Sequence, residues 1–166
     1  MNILFESDRF YFREFHLEDA EALFNLNADP DVVKYTGDLP FESIEKARKF
    51  ILNYDHYKNV GFGRWAVIKK HDDSFIGWCG LKHNEENEVD LGFRFYKSEW
   101  NKGYATESAK ACIVYAKEVL KMDHIIARAA IENKASIRVL EKLGFIFQGK
   151  RACHGIEDAY RYILKI

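Results

Sequence analysis

Three short β-prone runs follow one another in the middle of this chain, at 64–70 (RWAVIKK), 75–82 (FIGWCGLK) and 89–95 (VDLGFRF). Only the polar segments HDDS and HNEENE part them. Such separators suit antiparallel hairpins, so a meander is expected at the centre of the fold. An amphipathic helix is predicted after it over 105–120, burying Ala105, Ala109, Cys112, Ile113, Ala116, Val119 and Leu120. Upstream, RFYFREF (9–15) predicts a first strand, and Leu17, Ala20, Leu23 and Phe24 recur at helical spacing until Asp29-Pro30-Asp31 interrupts them. Ser43 is the N-cap candidate of a second helix carrying Ile44, Ala47, Ile51 and Tyr54 on one face. Downstream, 125–131 predicts a strand and Asn133 precedes a helix bearing Ile137 and Leu140. Gly144 falls at its left-handed C-cap, and FIFQGKR and AYRYILKI flank a turn at 154–157. The order β-α-α-β-β-β-α-β-α-β-β describes an α/β domain over 1–166, a mixed sheet with helices on its faces.

Nearly half of the 166 residues are apolar, with thirteen Phe, nine Tyr and three Trp, enough to bury one core. The net charge of −1 is spread among interspersed acids and bases, which argues against nucleic acid or an anionic membrane as partner. No stretch approaches the roughly 20 apolar residues a bilayer span needs. Cys79, Cys112 and Cys153 are odd in number and form no CxxC pair, which points to reduced thiols and a cytoplasmic setting. The six histidines show no ligand spacing, so no metal site is expected. Cys153-His154 is set aside as a nucleophile and base, since neighbours on a strand point to opposite faces.

The chemistry is expected at the strand–loop–helix VDLGFRF-YKSE-WNKGYATES. A helix start offers unpaired N–H groups and a positive dipole end to phosphate oxygens, and Gly103 and Ala105 let a diphosphate come close. Taken alone, a glycine before a helix usually makes a simple turn. Gly92 inside the third run marks either a bulge or an accommodation of packing.

These motifs resemble those of the GNAT superfamily of acetyl-coenzyme A-dependent N-acetyltransferases, and within it the branch around RimJ and RimL. The family's pyrophosphate motif is matched from Trp100 to Ala105, with the branch's W-x-K-G-Y-A-T-E. A second motif, N-x-A-S-x-R-V-L-E-K-L-G-F, runs continuously from Asn133 to Phe145, and FREFHLEDAEALFNLNADPDVVKYTG resembles the branch's opening. The likeness implies a mostly antiparallel sheet, splayed at a central bulged strand, with helices on both faces. It implies that backbone groups of Phe93, Arg94 and Phe95 pair with the pantetheine arm, and that amides of Asn101, Lys102, Gly103, Tyr104, Ala105 and Thr106 hold the pyrophosphate. Asn133 matches the asparagine that bonds the pantetheine arm, and its alternative is a helix cap.

Asp90 is the first candidate for general base, since the branch often has Glu there, and Glu88 is the second. Both enter the bulged strand at alternate positions, on one face. The tyrosine that many relatives use to protonate the leaving thiolate is replaced by Leu140, which leaves Ser136 as candidate donor. Lys134, Arg138 and Lys142 either meet the 3′-phosphate or are solvated. Asp29, Asp31, Tyr35, Tyr54, Tyr57, Phe62 and Trp65 are candidates for an acceptor pocket suited to a cation or peptide terminus. The acceptor implied by the branch is a peptide or protein N-terminal amine. The alternatives are a small-molecule amine (an amino sugar, a polyamine or an amino acid), or a catalytically idle coenzyme A-binding module. Dimers occur in the family, so a homodimer is open.

Overall fold

The computed structural model describes residues 2–153 and 155–166. The central runs form the expected meander, in which β3 (Arg64–Lys69), β4 (Phe75–His83) and β5 (Val89–Phe95) pair antiparallel. β2 (Phe10–Arg13) extends the sheet beyond β3, and a two-residue β1 (Phe5–Glu6), absent from the expected order, lies outside it. On the other side stand β6 (His124–Ala130), β8 (Ala159–Lys165) and β7 (Ile146–Lys150), giving the order β1-β2-β3-β4-β5-β6-β8-β7. Among the described residues every strand pair is antiparallel except β5 with β6.

Strand alternation sorts the core to two faces. Phe10, Phe12, Trp65 and Val67 join Ala109, Cys112 and Ala116 of α5 (Tyr104–Glu118) and Ile137 and Leu140 of α6 (Lys134–Lys142). Tyr11, Ala66 and Ile68 turn the other way, with Ala20, Leu23 and Leu26 of α1 (Ala20–Ala28) and Ala47 and Ile51 of α3 (Ile44–Leu52). The small Ala109, Cys112 and Ala116 are fully buried, which seats α5 close on the sheet. Val119, expected on that face, is exposed because α5 ends at Glu118. Ser43 caps α3 as expected, accepting from the Lys46 amide at 3.2 Å. Pro30 does more than interrupt. With Asp29 accepting from the Asp31 amide, it starts the short α2 (Pro30–Val33), and α4 (His56–Val60) is a further short helix. His154 lies outside the described residues, and with it the reading of its pair with Cys153.

Leu17 is exposed because residues 17–19 form a 3₁₀ turn ahead of α1, drawn in by a buried ion pair. Arg13 grips both oxygens of Asp19 at 2.7 and 2.9 Å, and the His16 amide donates to the same carboxylate at 2.7 Å. Removing one partner leaves the other charge buried and uncompensated. Asp19→Ala is therefore expected to lower stability by about 3 kcal/mol or more, read as a lower urea midpoint at unchanged slope.

The bulge expected at Gly92 does not occur. The β4–β5 register runs unbroken from Gly77↔Phe95 to His83↔Val89. The splay lies on the opposite edge, where β5 and β6 register at Asp90↔Ile126 alone and then part.

Candidate functional site

Because β6 leaves β5 after Asp90, the edge of β5 over 91–95 has no strand partner on that side. A cavity of about 640 Å³ opens there, walled by Phe93, Arg94, Phe95, the loop to α5, the first turn of α5 and one side of α6. Gly103 takes φ +78° as N-cap of α5, in the left-handed region that favours glycine, and supplies no capping side chain. The amides of Tyr104, Ala105 and Thr106 therefore lack intrahelical acceptors, and these three residues line the cavity with Asn101 and Gly103. The Trp100 indole donates to the Phe95 carbonyl at 3.0 Å and ties the loop to the end of β5. Lys102 pairs with Glu99 at 3.1 Å, whereas Lys134, Arg138 and Lys142 of α6 line the same cavity with no ion pair among the described residues. An anion at the helix start thus has both free amides and nearby cations.

Sequence reasoning missed what braces this loop from behind. Glu107 accepts from the Ser7 hydroxyl (2.7 Å), the Arg9 amide (2.8 Å) and Arg9 Nε (2.6 Å), while Arg9 Nη1 donates to the Lys102 carbonyl at 3.2 Å. The guanidinium lies 4.7 Å from the Tyr104 ring centre, and Tyr104 meets Phe10 edge-on. Burial pushes the Glu107 carboxyl up, but the Arg9 and Ser7 donors outweigh it and hold its pKa below the ordinary glutamate value. Stability from such a lowered carboxylate is present above the unfolded pKa and is lost as pH falls through the native one. The melting temperature is expected to drop as the pH falls through and below the ordinary glutamate range, and Glu107→Gln to flatten part of that drop in a thermal-shift series.

A second cavity of about 490 Å³ lies on the α1 and α3 face. Tyr35, Thr36, Phe93, Arg94, Asn133 and Ser136 line both cavities, which therefore meet across β5. Asn133 caps α6, its Oδ1 accepting from the Ser136 amide at 3.2 Å, and its side-chain nitrogen has no protein partner among the described residues. Cap and ligand contact are thus compatible. Leu140, buried, closes the floor with no hydroxyl. Tyr35 and Tyr54 reach the second cavity. Tyr57, Phe62 and Trp65 pack in the core, Asp29 caps α2, and Asp31 pairs with Lys97 at 2.5 Å.

The two candidate bases part company. Glu88 precedes β5, is bound by Arg161 of β8 and lines neither cavity. Burial raises its pKa, but the bond and charge of Arg161, the Asn84 bond and the charge of Arg151 together outweigh this and hold it low, which unsuits it as a base. Asp90 lines the second cavity, with Arg128 Nη2 and Nε at 3.0 and 3.1 Å from one oxygen. Burial raises its pKa against the pull of Arg64, Arg128 and Lys82. A raised carboxylate is a better proton acceptor near neutral pH.

Four cationic or aromatic neighbours were also missed: Arg64, Trp78, Lys82 and Arg128. The register puts Arg64 opposite Gly80, Gly80 opposite Gly92, Trp78 opposite Arg94 and Lys82 opposite Asp90, all on one face. Here Gly92 finds its reason, because a Cβ would stand 2.6 Å from Arg64 Nη2. Arg64 Nη1 donates to the carbonyls of Gly80 (2.5 Å) and Asp90 (2.9 Å), and its guanidinium lies 5.1 Å from the Trp78 ring. Arg94, expected to act through its backbone, also sends its buried side chain to Asn27 (2.8 Å) and Asp38 (2.6 Å). Alternation along the three strands carries this signal, but only once the register is known.

The acetyltransferase (GNAT) domain model matches residues 9–146. The chain belongs to the GNAT acetyltransferase family. It is 32% identical over 166 residues to the uncharacterized N-acetyltransferase p20 of Bacillus licheniformis, covering 95% of this chain and 93% of that one. It is 31% identical over 142 residues to the uncharacterized N-acetyltransferase YnaD of Bacillus subtilis, covering 85% and 81%. The structure of an acetyltransferase (GNAT family) from Bacillus anthracis superposes with a TM-score of 0.82 at 33% identity over 99% and 98% of the chains. RimL, the ribosomal L7/L12 α-N-protein acetyltransferase, shares the fold with a TM-score of 0.84 at 17% identity over 99% and 98%. The protein is an N-acetyltransferase of the GNAT type, with the family's mixed, mostly antiparallel sheet.

Proposed function

We propose that the enzyme moves an acetyl group from acetyl-coenzyme A to a primary amine by direct attack within a ternary complex. The observation that carries this reading is the meeting of two cavities across the unpaired edge of β5, with the free amides of α5 in the first. The diphosphate would rest on the amides of 101–106, with Lys134, Arg138 and Lys142 near the 3′-phosphate. The pantetheine arm would run along Phe93, Arg94 and Phe95 and meet the Asn133 amide. A β5 N–H would hold the thioester oxygen as it becomes an oxyanion.

The amine enters from the second cavity and loses a proton to Asp90. A water relays it, since the aspartate side chain is short and Arg128 holds one of its oxygens. The nitrogen attacks the acyl carbon, the C–S bond breaks, and the thiolate takes a proton from Ser136, whose hydroxyl is restored by the second proton that the nitrogen sheds as the amide forms. Juxtaposition of the partners supplies roughly 7–11 kcal/mol of barrier lowering and a base about 10²–10⁴-fold more. Ser136→Ala is expected to slow turnover without weakening coenzyme A binding. Unchanged turnover would pass the role to Tyr35, a residue that lines both cavities.

The likeness to the RimJ and RimL branch supports a peptide N-terminal amine as acceptor. The walls of the second cavity favour a small-molecule amine instead: Arg94 pins Asp38, and Leu39, Phe41 and Phe50 stand around the space. Thiol release from acetyl-coenzyme A across a panel of peptides and small amines tests both. A catalytically idle module would be stabilised by coenzyme A yet release no amine-dependent thiol.

A further inference from the structure

The second cavity holds more positive charge than acetyl transfer requires. Arg64, Lys82, Arg94 and Arg128 line it, against the carboxylates of Asp38 and Asp90. Arg94 is matched by Asp38, and Arg128 by Asp90 and Glu85. Arg64 and Lys82 have no carboxylate partner among the described residues.

Arg64 is held in place for a ligand. The paired glycines 80 and 92 leave room for its side chain across β4 and β5, two main-chain carbonyls fix Nη1, and Trp78 lies beside the guanidinium. Its Nε and Nη2 donate to no protein atom among the described residues and are not sealed from the cavity. Burial and the Arg64 guanidinium push the Lys82 ammonium pKa down, against the pull of Asp90 and Asp38. A polyamine would add to that repulsion, whereas an anion between Arg64 and Lys82 relieves it and satisfies the open donors.

We propose that the acceptor is a small amine carrying its own anionic group, a carboxylate as in an α-amino acid or a phosphate, bound by Arg64 and Lys82 while the amine faces the acyl carbon. The proposal rests on the acetyl-transfer reading. The balanced step takes an ammonium and the thioester to an amide, a free thiol and one proton: the C–N bond forms as the C–S bond breaks.

The test compares α-amino acids with their own amides, and ethanolamine phosphate with ethanolamine, as acceptors in a thiol-release assay. Calorimetry with the N-acetylated member of each pair reads the cavity independently of turnover. The anionic member is expected to win by about tenfold or more in kcat/KM and in affinity, and the pair that wins identifies carboxylate or phosphate. Arg64→Gln should erase the preference mainly through KM, and Lys82→Gln, which breaks no main-chain contact, should reduce it. Equal or better performance of the neutral members overturns the proposal and leaves acetyl transfer standing. Loss of coenzyme A binding itself would strike the underlying reading instead.

Discussion

Thr106→Glu is expected to abolish coenzyme A binding while leaving the fold as stable as before or slightly more so. Thr106 lies in the first turn of α5, lines the larger cavity and has no intrahelical acceptor for its amide. A carboxylate in a first helical turn interacts favourably with the dipole, worth about 0.3–1 kcal/mol, so the helix gains. The diphosphate loses. Two like charges some 4 Å apart at an effective dielectric near 20 repel by about 4 kcal/mol, roughly a thousandfold in affinity. Calorimetry with coenzyme A and thermal unfolding on the same samples separate the two effects. Affinity within threefold of the parent would remove the start of α5 as the phosphate site.

Asp90→Asn should lower kcat by about 10²–10⁴-fold and change the shape of the pH profile. With the carboxylate present, the bound ammonium can be deprotonated in place. The parent rate then rises through a pKa above the ordinary aspartate range and levels off. The variant must select the free amine from solution, so its kcat/KM climbs about tenfold per pH unit toward the amine's own pKa. Coenzyme A affinity should be kept, because Asp90 does not line the larger cavity. The stability change should be small, since burial already penalises the charged carboxylate and Arg128 retains Glu85. A uniform loss that preserves the parent profile would assign Asp90 to holding Arg128.

The loop and helix that face the larger cavity were legible in the sequence because their signals are local. A glycine before an amphipathic run, an asparagine three residues ahead of the Ser136 amide it caps, and Gly144 at φ +88° after α6 depend on backbone geometry within a few residues. The smaller cavity was misread for the opposite reason. Its walls come from α1, α3, α6 and the four strands β3 to β6. Of the residues expected there only Tyr35 and Tyr54 arrive, while Tyr57, Phe62 and Trp65 went to the core, Asp29 to a cap and Asp31 to a surface pair.

Glu88 and Asp90 show the difference most directly. They are two residues apart and suited to the same chemistry, yet one was drawn to Arg161 on β8 and the other to Arg128 on β6. Neither partner is near them in the chain. By itself, then, the order of apolar periods determined the meander, the helices and the anion-ready start of α5, since these follow from neighbouring dihedrals and alternation. Tertiary structure alone decided where β5 and β6 part, why Gly92 must lack a side chain, and which charges remain unpaired in the acceptor cavity. Each of those is a balance between residues dozens of positions apart, and strand register settles it.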